Sequence, residues 1–211
     1  MMRRQINVNT TFSRYSKVLA PSGMTGAESA RRVLEANGVT GVRIERISGN
    51  LTDHFDPKTN TIRLSESVYD ATTVSAVGVA AHEAGHAVQY AVGYAPMQLR
   101  AAIIPATNIG SQLAMPLVLL GLIFSSAMLV DIGIIAFSMS TLFQLITLPV
   151  EFNASRRAVA TLESSCVSDT EVKGAKAVLR AAALTYVAAL AVSLASLLRI
   201  ILLFGNRNRR D

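Results

Sequence analysis

Hydrophobic and polar positions follow three different rhythms along the chain. Between Thr25 and Gly38, Ala30, Val33, Leu34 and Asn37 fall at helical spacing. Thr25-Gly26-Ala27-Glu28 has the spacing of a capping box and Gly38 is a natural stop, so a short amphipathic helix is predicted. Val42-Arg43-Ile44-Glu45 alternates like a half-buried strand. Residues 51–55 and 61–64 are short extended runs on either side of Asp56-Pro57-Lys58-Thr59-Asn60, which has turn chemistry, and the three runs predict a small hairpin or three-stranded sheet. From residue 72 to 90 alanine and valine dominate. Val74, Val77 and Val79 favour a strand, but the length favours a helix, closed by Gly93 and buried, since its one charged residue is Glu83.

The second half follows a longer rhythm. Residues 113–130 and 132–150 are uncharged throughout, each long enough to cross a bilayer as a helix, with only Asp131 and Gly133 to separate them. A tight transmembrane hairpin with its turn at Asp131 is therefore predicted. Residues 181–198 form a third apolar segment, which can run on past Arg199 to Phe204. Its alanines and serines suit close helix packing, and a buried core helix is its alternative.

Composition sharpens this division. Half of the residues are hydrophobic (51%) and mean hydropathy is +0.39, unusual for a water-soluble chain. Residues 1–100 hold 11 of the 20 Lys/Arg and 8 of the 14 Asp/Glu, which makes the first half water-exposed and the second lipid-facing. The net charge of +6 comes from basic residues scattered singly or in pairs, with no nucleic-acid motif, so the expected partner is an anionic bilayer rather than nucleic acid. Cys166 is alone, which excludes an internal disulfide and a zinc ribbon and leaves a small packed or idle thiol. Met1-Met2-Arg3-Arg4-Gln5-Ile6-Asn7 has no apolar run after its arginines, so no cleavable signal peptide is expected.

The chemistry concentrates in His82-Glu83-Ala84-Gly85-His86. On a helix, positions i and i+4 share a face, so both imidazoles can reach one zinc ion, and Glu83 between them is angled towards a water on the metal. Zinc acidifies such a water, and a carboxylate can take its proton and pass it to a leaving amine. A structural pair of histidines beside a buried, unpaired glutamate is the costlier arrangement. A catalytic zinc takes three protein ligands. Only His54 remains among the histidines, and Glu151 is the leading candidate. It ends an uncharged run just after Pro149 and opens a helical stretch in which Glu151, Ala154, Ser155, Ala158 and Leu162 share a face. Its alternative is an interfacial ion pair with Arg156 or Arg157. His54, in an Asp-His-Phe-Asp cluster, is either a turn or exposed histidine or a donor to the oxyanion of the transition state. Tyr186 is its rival for that role, or an interface anchor.

Four stretches carry a family resemblance. They are Gly49-Asn50-Leu51-Thr52-Asp53-His54-Phe55-Asp56-Pro57, Arg63-Leu64-Ser65-Glu66-Ser67-Val68-Tyr69, Val79-Ala80-Ala81-His82-Glu83-Ala84-Gly85-His86-Ala87-Val88-Gln89 and Leu148-Pro149-Val150-Glu151-Phe152-Asn153-Ala154-Ser155-Arg156-Arg157-Ala158. From about Phe12 to Phe204 the chain resembles the bacterial membrane-bound neutral zinc metallopeptidases of the YugP-like family, which are more distantly similar to HtpX-type membrane proteases. The resemblance implies a downstream Glu-x-x-x-Asp helix whose glutamate is the third zinc ligand, matched here by Glu151. Ser155 stands where those distant relatives have aspartate, so a carboxylate orienting a histidine is not carried over. It also implies a transmembrane helix ahead of residues 11–18, which the sequence from Met1 does not show; either the start is assigned downstream of the true one, or this version is anchored only by its later helices.

The expected fold is a mainly α membrane protein with a zincin-like α+β catalytic core. Residues 1–100 are the water-exposed part of that core, 101–150 the membrane hairpin, 151–180 the third-ligand helix and the segment after it, and 181–211 an apolar helix with a basic tail. The expected function is zinc-dependent hydrolysis of peptide or membrane-protein substrates. The strand near residues 61–64 is expected to be an edge that holds an extended substrate. The catalytic side is expected to face the cytoplasm of a bacterial cell membrane, with Asp131 in the turn opposite, although the tail Asn206-Arg207-Asn208-Arg209-Arg210 then ends outside if all three segments cross. From another functional class, a membrane scaffold with a structural zinc site is the alternative. It would have no use for Glu83.

Overall fold

In the computed structural model the described residues are 10–165 and 168–204. Cys166, the first residues Met1-Met2-Arg3-Arg4 and the tail from Asn206 to Arg210, all singled out in the sequence, lie outside them. The chain divides into two compact units, one drawn from Met1–Tyr94 and Val150–Thr185, the other from Ala95–Pro149 and Tyr186–Asp211.

The first unit contains the sheet. Helix α1 (Gly26–Ala36) starts at the expected capping box: Thr25 Oγ1 accepts from the Glu28 amide while the Glu28 carboxylate accepts from the Thr25 amide at 2.8 Å. Strands β1 (Arg43–Ile47), β2 (His54–Asp56) and β3 (Thr61–Ser65) form one sheet in the order β1-β3-β2, with β1 parallel and β2 antiparallel to β3. The β2–β3 turn is held by Asp56, whose carboxylate accepts from the Lys58 amide and the Thr59 hydroxyl. The Arg63 guanidinium donates to the same carboxylate at 2.8 Å and, with the Thr59 hydroxyl, holds its pKa well below the usual range.

Two expectations are corrected here. The first extended run is strand only from His54, because Leu51 has a left-handed backbone (φ 56°) that interrupts it. The strand at residues 61–64 is not an edge. β3 is the central strand, paired on both sides, and Thr61, Ile62, Leu64 and Ser65 are all buried. The free edges belong to β1 and β2.

After the short helix α2 (Glu66–Tyr69), α3 (Val74–Ala91) begins at Thr73, whose hydroxyl accepts from the Ala76 amide. It is buried on nearly all sides. Ser29 of α1 donates to its Val77 carbonyl at 2.9 Å, and Gly78 meets Ala175 of α6 (Asp169–Phe204) so closely that an added Cβ would lie 3.3 Å from the Ala175 Cα.

The second unit is helical. Helix α4 (Ala95–Ile123) and the apolar stretches of α5 (Ala127–Ser164) and α6 are long and apolar enough to cross a membrane. The hairpin turn falls at Phe124, Ser125 and Ser126, earlier than expected. Ser125 takes a left-handed φ of 52° and the Ser126 amide donates to the Gly121 carbonyl at 2.8 Å. Asp131 and Gly133 lie within α5. Gly133 serves close helix approach instead of a turn, since a Cβ there would stand 2.9 Å from the Ala114 carbonyl oxygen of α4. A buried hydrogen bond of 2.7 Å between the Thr141 and Ser193 hydroxyls joins α5 to α6.

One further difference concerns residue 151. Glu151 does not open a helix. α5 runs unbroken through Pro149, so one 38-residue helix carries the uncharged run and then the candidate ligand.

Candidate metal centre

α3 and the later part of α5 meet at Gly85. A Cβ on this glycine would lie 2.6 Å from the main-chain oxygen of Ala154, so only glycine permits the approach. The contact lies within the His-Glu-Ala-Gly-His turn and three residues after Glu151, which brings the carboxylate to the histidines. Ala154, Ala158 and Leu162, on the α5 face anticipated from the sequence, are fully buried in this packing. Gly85→Ala is expected to destabilise the fold by about 1–3 kcal/mol through overpacking and to weaken zinc binding. Thermal unfolding and zinc titration of the variant check this, and wild-type values in both would remove Gly85 from its role.

At this crossing three potential ligands converge. Glu151 Oε2 lies 3.3 Å from His82 Nε2 and 3.6 Å from His86 Nε2, and the donor atoms of the trio all fall within 4.8 Å of one another. His86 and Glu151 are buried, while His82 is partly open. Each imidazole is steered from behind. Ser155 Oγ is 3.1 Å from His82 Nδ1, and Gln89 Oε1 is 3.0 Å from His86 Nδ1. Both rings thus turn Nε2 towards the carboxylate, the orientation that ligation by Nε2 requires. Burial disfavours the charged form of His86, but the Glu151 hydrogen bond and the charges of Glu83 and Glu151 outweigh it and raise its pKa. The same negative field favours a divalent cation. Two imidazole nitrogens, one carboxylate and a partly open side fit a zinc ion with a free coordination position.

Glu83 lies beside the trio without belonging to it. One of its oxygens, Oε2, accepts from the Phe55 amide at 3.1 Å, so the β2 edge faces this carboxylate. Asp53 is near enough for the Glu83 charge to act on it. Burial, and then that charge, raises its pKa against the hydrogen bonds it accepts from Ser65. The Phe55 ring in turn packs on Tyr90, with centroids 5.7 Å apart.

The structure thus brings together His82, His86 and Glu151, with Glu83 adjacent. Glu151 faces the histidines, and Arg157 donates to Asn153 instead. His54 is exposed on β2 with its Nδ1 2.8 Å from the Thr52 carbonyl, and Tyr186 is an exposed residue of the second unit. Sequence reasoning missed Gln89 and the Phe55 amide, and it gave Ser155 no partner. For Gln89 there was a signal, a lone amide three residues after His86 in an otherwise apolar helix. For a main-chain amide there is none.

A family model described as "Putative neutral zinc metallopeptidase" matches residues 1–205. The chain is 49% identical over 203 residues to "Putative membrane protease YugP" of Bacillus subtilis (strain 168), a match covering 96% of this chain and 90% of that protein. No solved structure matches it.

Proposed function

Because the chain belongs to the neutral zinc metallopeptidase family, we propose that it is a membrane-embedded zinc endopeptidase in which His82, His86 and Glu151 hold the metal and Glu83 is the general base. The observation that carries this is the convergence of three ligand atoms from two helices beside a second, non-ligating carboxylate. Zinc, when bound, supplies Lewis acidity and makes a water in its open position a nucleophile near neutral pH. The rest is work for the chain's own side chains. Glu83, with one oxygen tied to the Phe55 amide, keeps the other to take the proton of the attacking water and deliver it to the leaving amine. His82 and His86 are kept in a ligating orientation by uncharged partners.

The substrate is proposed to be a peptide or an extended segment of a membrane protein. It would lie beside β2, close to Glu83, while the Phe55 amide stays bonded to that carboxylate. A metal helix facing a sheet edge in this way is what a zincin-like core requires, and this is the fold relation we propose. Purified protein should contain about one zinc per chain and cleave a fluorogenic peptide mixture, with activity lost to a chelator and restored by Zn²⁺. Stoichiometric zinc with no turnover on any peptide would leave only the scaffold with a structural site.

The catalytic side is proposed to face the cytoplasm of a multi-pass protein. The first hundred residues and residues 151–180, with five Lys/Arg in the latter, would share that side, and the turn at Phe124–Ser126 the other. Single cysteines introduced in a Cys166→Ser background test it. Lys173→Cys should react only with reagent reaching the cytoplasmic face, and Ser125→Cys only from outside. The reverse pattern would invert the topology.

A further inference from the structure

Gln89 is a fully buried polar residue on α3 whose contacts reach beyond His86. Its amide has three partners. Nε2 donates to the main-chain oxygen of Val150 at 2.8 Å and to Asn153 Oδ1 at 3.1 Å, while Oε1 lies 3.0 Å from His86 Nδ1. A main-chain carbonyl can only accept, so the amide cannot be turned round and its nitrogen must face Val150. Asn153 agrees, because Arg157 Nε already donates to the same Oδ1 at 2.9 Å, which makes that atom an acceptor. The Gln89 oxygen must then face His86, and only an N–H can satisfy it. His86 therefore carries a proton on Nδ1, which leaves Nε2, the nitrogen facing Glu151, as the one able to give up its proton and ligate a metal.

We propose that Gln89 is the positioning residue of the metal centre, selecting the ligating tautomer of His86 and tying that ring to the main chain next to Glu151. The inference rests on the zinc reading of the trio. One side chain thereby sets two ligands from two helices. Ser155 does less, because among the described residues its hydroxyl bonds to one ligand, His82, and a hydroxyl that can donate or accept imposes no tautomer. The role also explains why an amide stands where a carboxylate would be the stronger acceptor for an imidazole N–H. Glutamate has two acceptor oxygens and no donor, so one would face the Val150 carbonyl and Asn153 Oδ1 with nothing to offer. Methionine fills a similar volume and makes none of the three bonds.

The test uses full-length protein in detergent, as wild type, Gln89→Glu and Gln89→Met, with Zn²⁺ and Co²⁺ as probes. Zn²⁺ affinity is measured by competition with a chromophoric chelator, and the visible absorption of the Co²⁺ form reports ligand geometry independently of turnover. Both variants should bind Zn²⁺ about 10- to 100-fold more weakly than wild type, with displaced Co²⁺ bands. A Gln89→Glu protein with wild-type affinity and an unchanged Co²⁺ spectrum overturns the proposal. If neither variant folds, Asn153→Ala decides: it removes one Gln89 acceptor without touching a ligand. A shifted Co²⁺ spectrum supports the role and an unchanged one overturns it. Wild type that takes up neither metal would instead remove the zinc reading, and the role of Gln89 with it. Wild type that binds both, while the Gln89 variants bind equally well, would overturn the role of Gln89 alone.

Discussion

Glu83→Gln is expected to keep wild-type zinc content and to slow peptide hydrolysis by about 10²- to 10⁴-fold, the usual contribution of a positioned general base. The amide is isosteric, and its oxygen can still accept from the Phe55 amide, so the packing around β2 and α3 survives. What it cannot do is take a proton at neutral pH. The pairing of the two measurements gives the experiment its force. Were Glu83 a fourth ligand in a closed structural site, the amide would weaken metal binding. Were it a bystander, turnover would survive. Retained zinc with near-normal proteolysis would end its assignment as the base.

The second large effect concerns the third ligand. Glu151→Ala is expected to reduce zinc binding severely, whereas His54→Ala should leave it nearly intact. Glu151 is buried with one oxygen within 3.6 Å of both histidine Nε2 atoms, so its loss removes a ligand and the negative charge that offsets the cation. His54 is exposed on β2 and its ring rests on the carbonyl of Thr52. A role for His54 at the transition state would appear as slower turnover of the zinc-loaded protein, with no change in metal content. Zinc stoichiometry by elemental analysis of both variants decides the matter. The opposite order of loss would move the third-ligand role to His54.

Some of this was legible in the residues alone because it depends on local physics. The capping box at Thr25, the Asp56 turn and the long helix through His82 and His86 are set by side chains within a few positions of one another, and helical periodicity alone puts the two histidines on one face. Glu151 could be nominated because charge is so scarce between Arg100 and residue 151 that a carboxylate there calls for a partner.

The sequence by itself therefore determined the chemistry and the apolar helices: two imidazoles and a carboxylate in one helical turn, and uncharged runs long enough to cross a bilayer. Only the tertiary structure decided how these pieces meet. A strand's order in a sheet depends on partners distant in the chain, so β3 proved central when it was expected at an edge. A glycine reads the same in a turn as at a helix crossing. Gly133 looked like the first and is the second, while Ser125 turned the chain. Gln89 and Ser155 are unremarkable polar residues until α3 and α5 are brought together, and only then do their hydrogen bonds orient the histidines. Hydrogen bonds act over about 3 Å, and no local pattern records which distant groups will come within that reach.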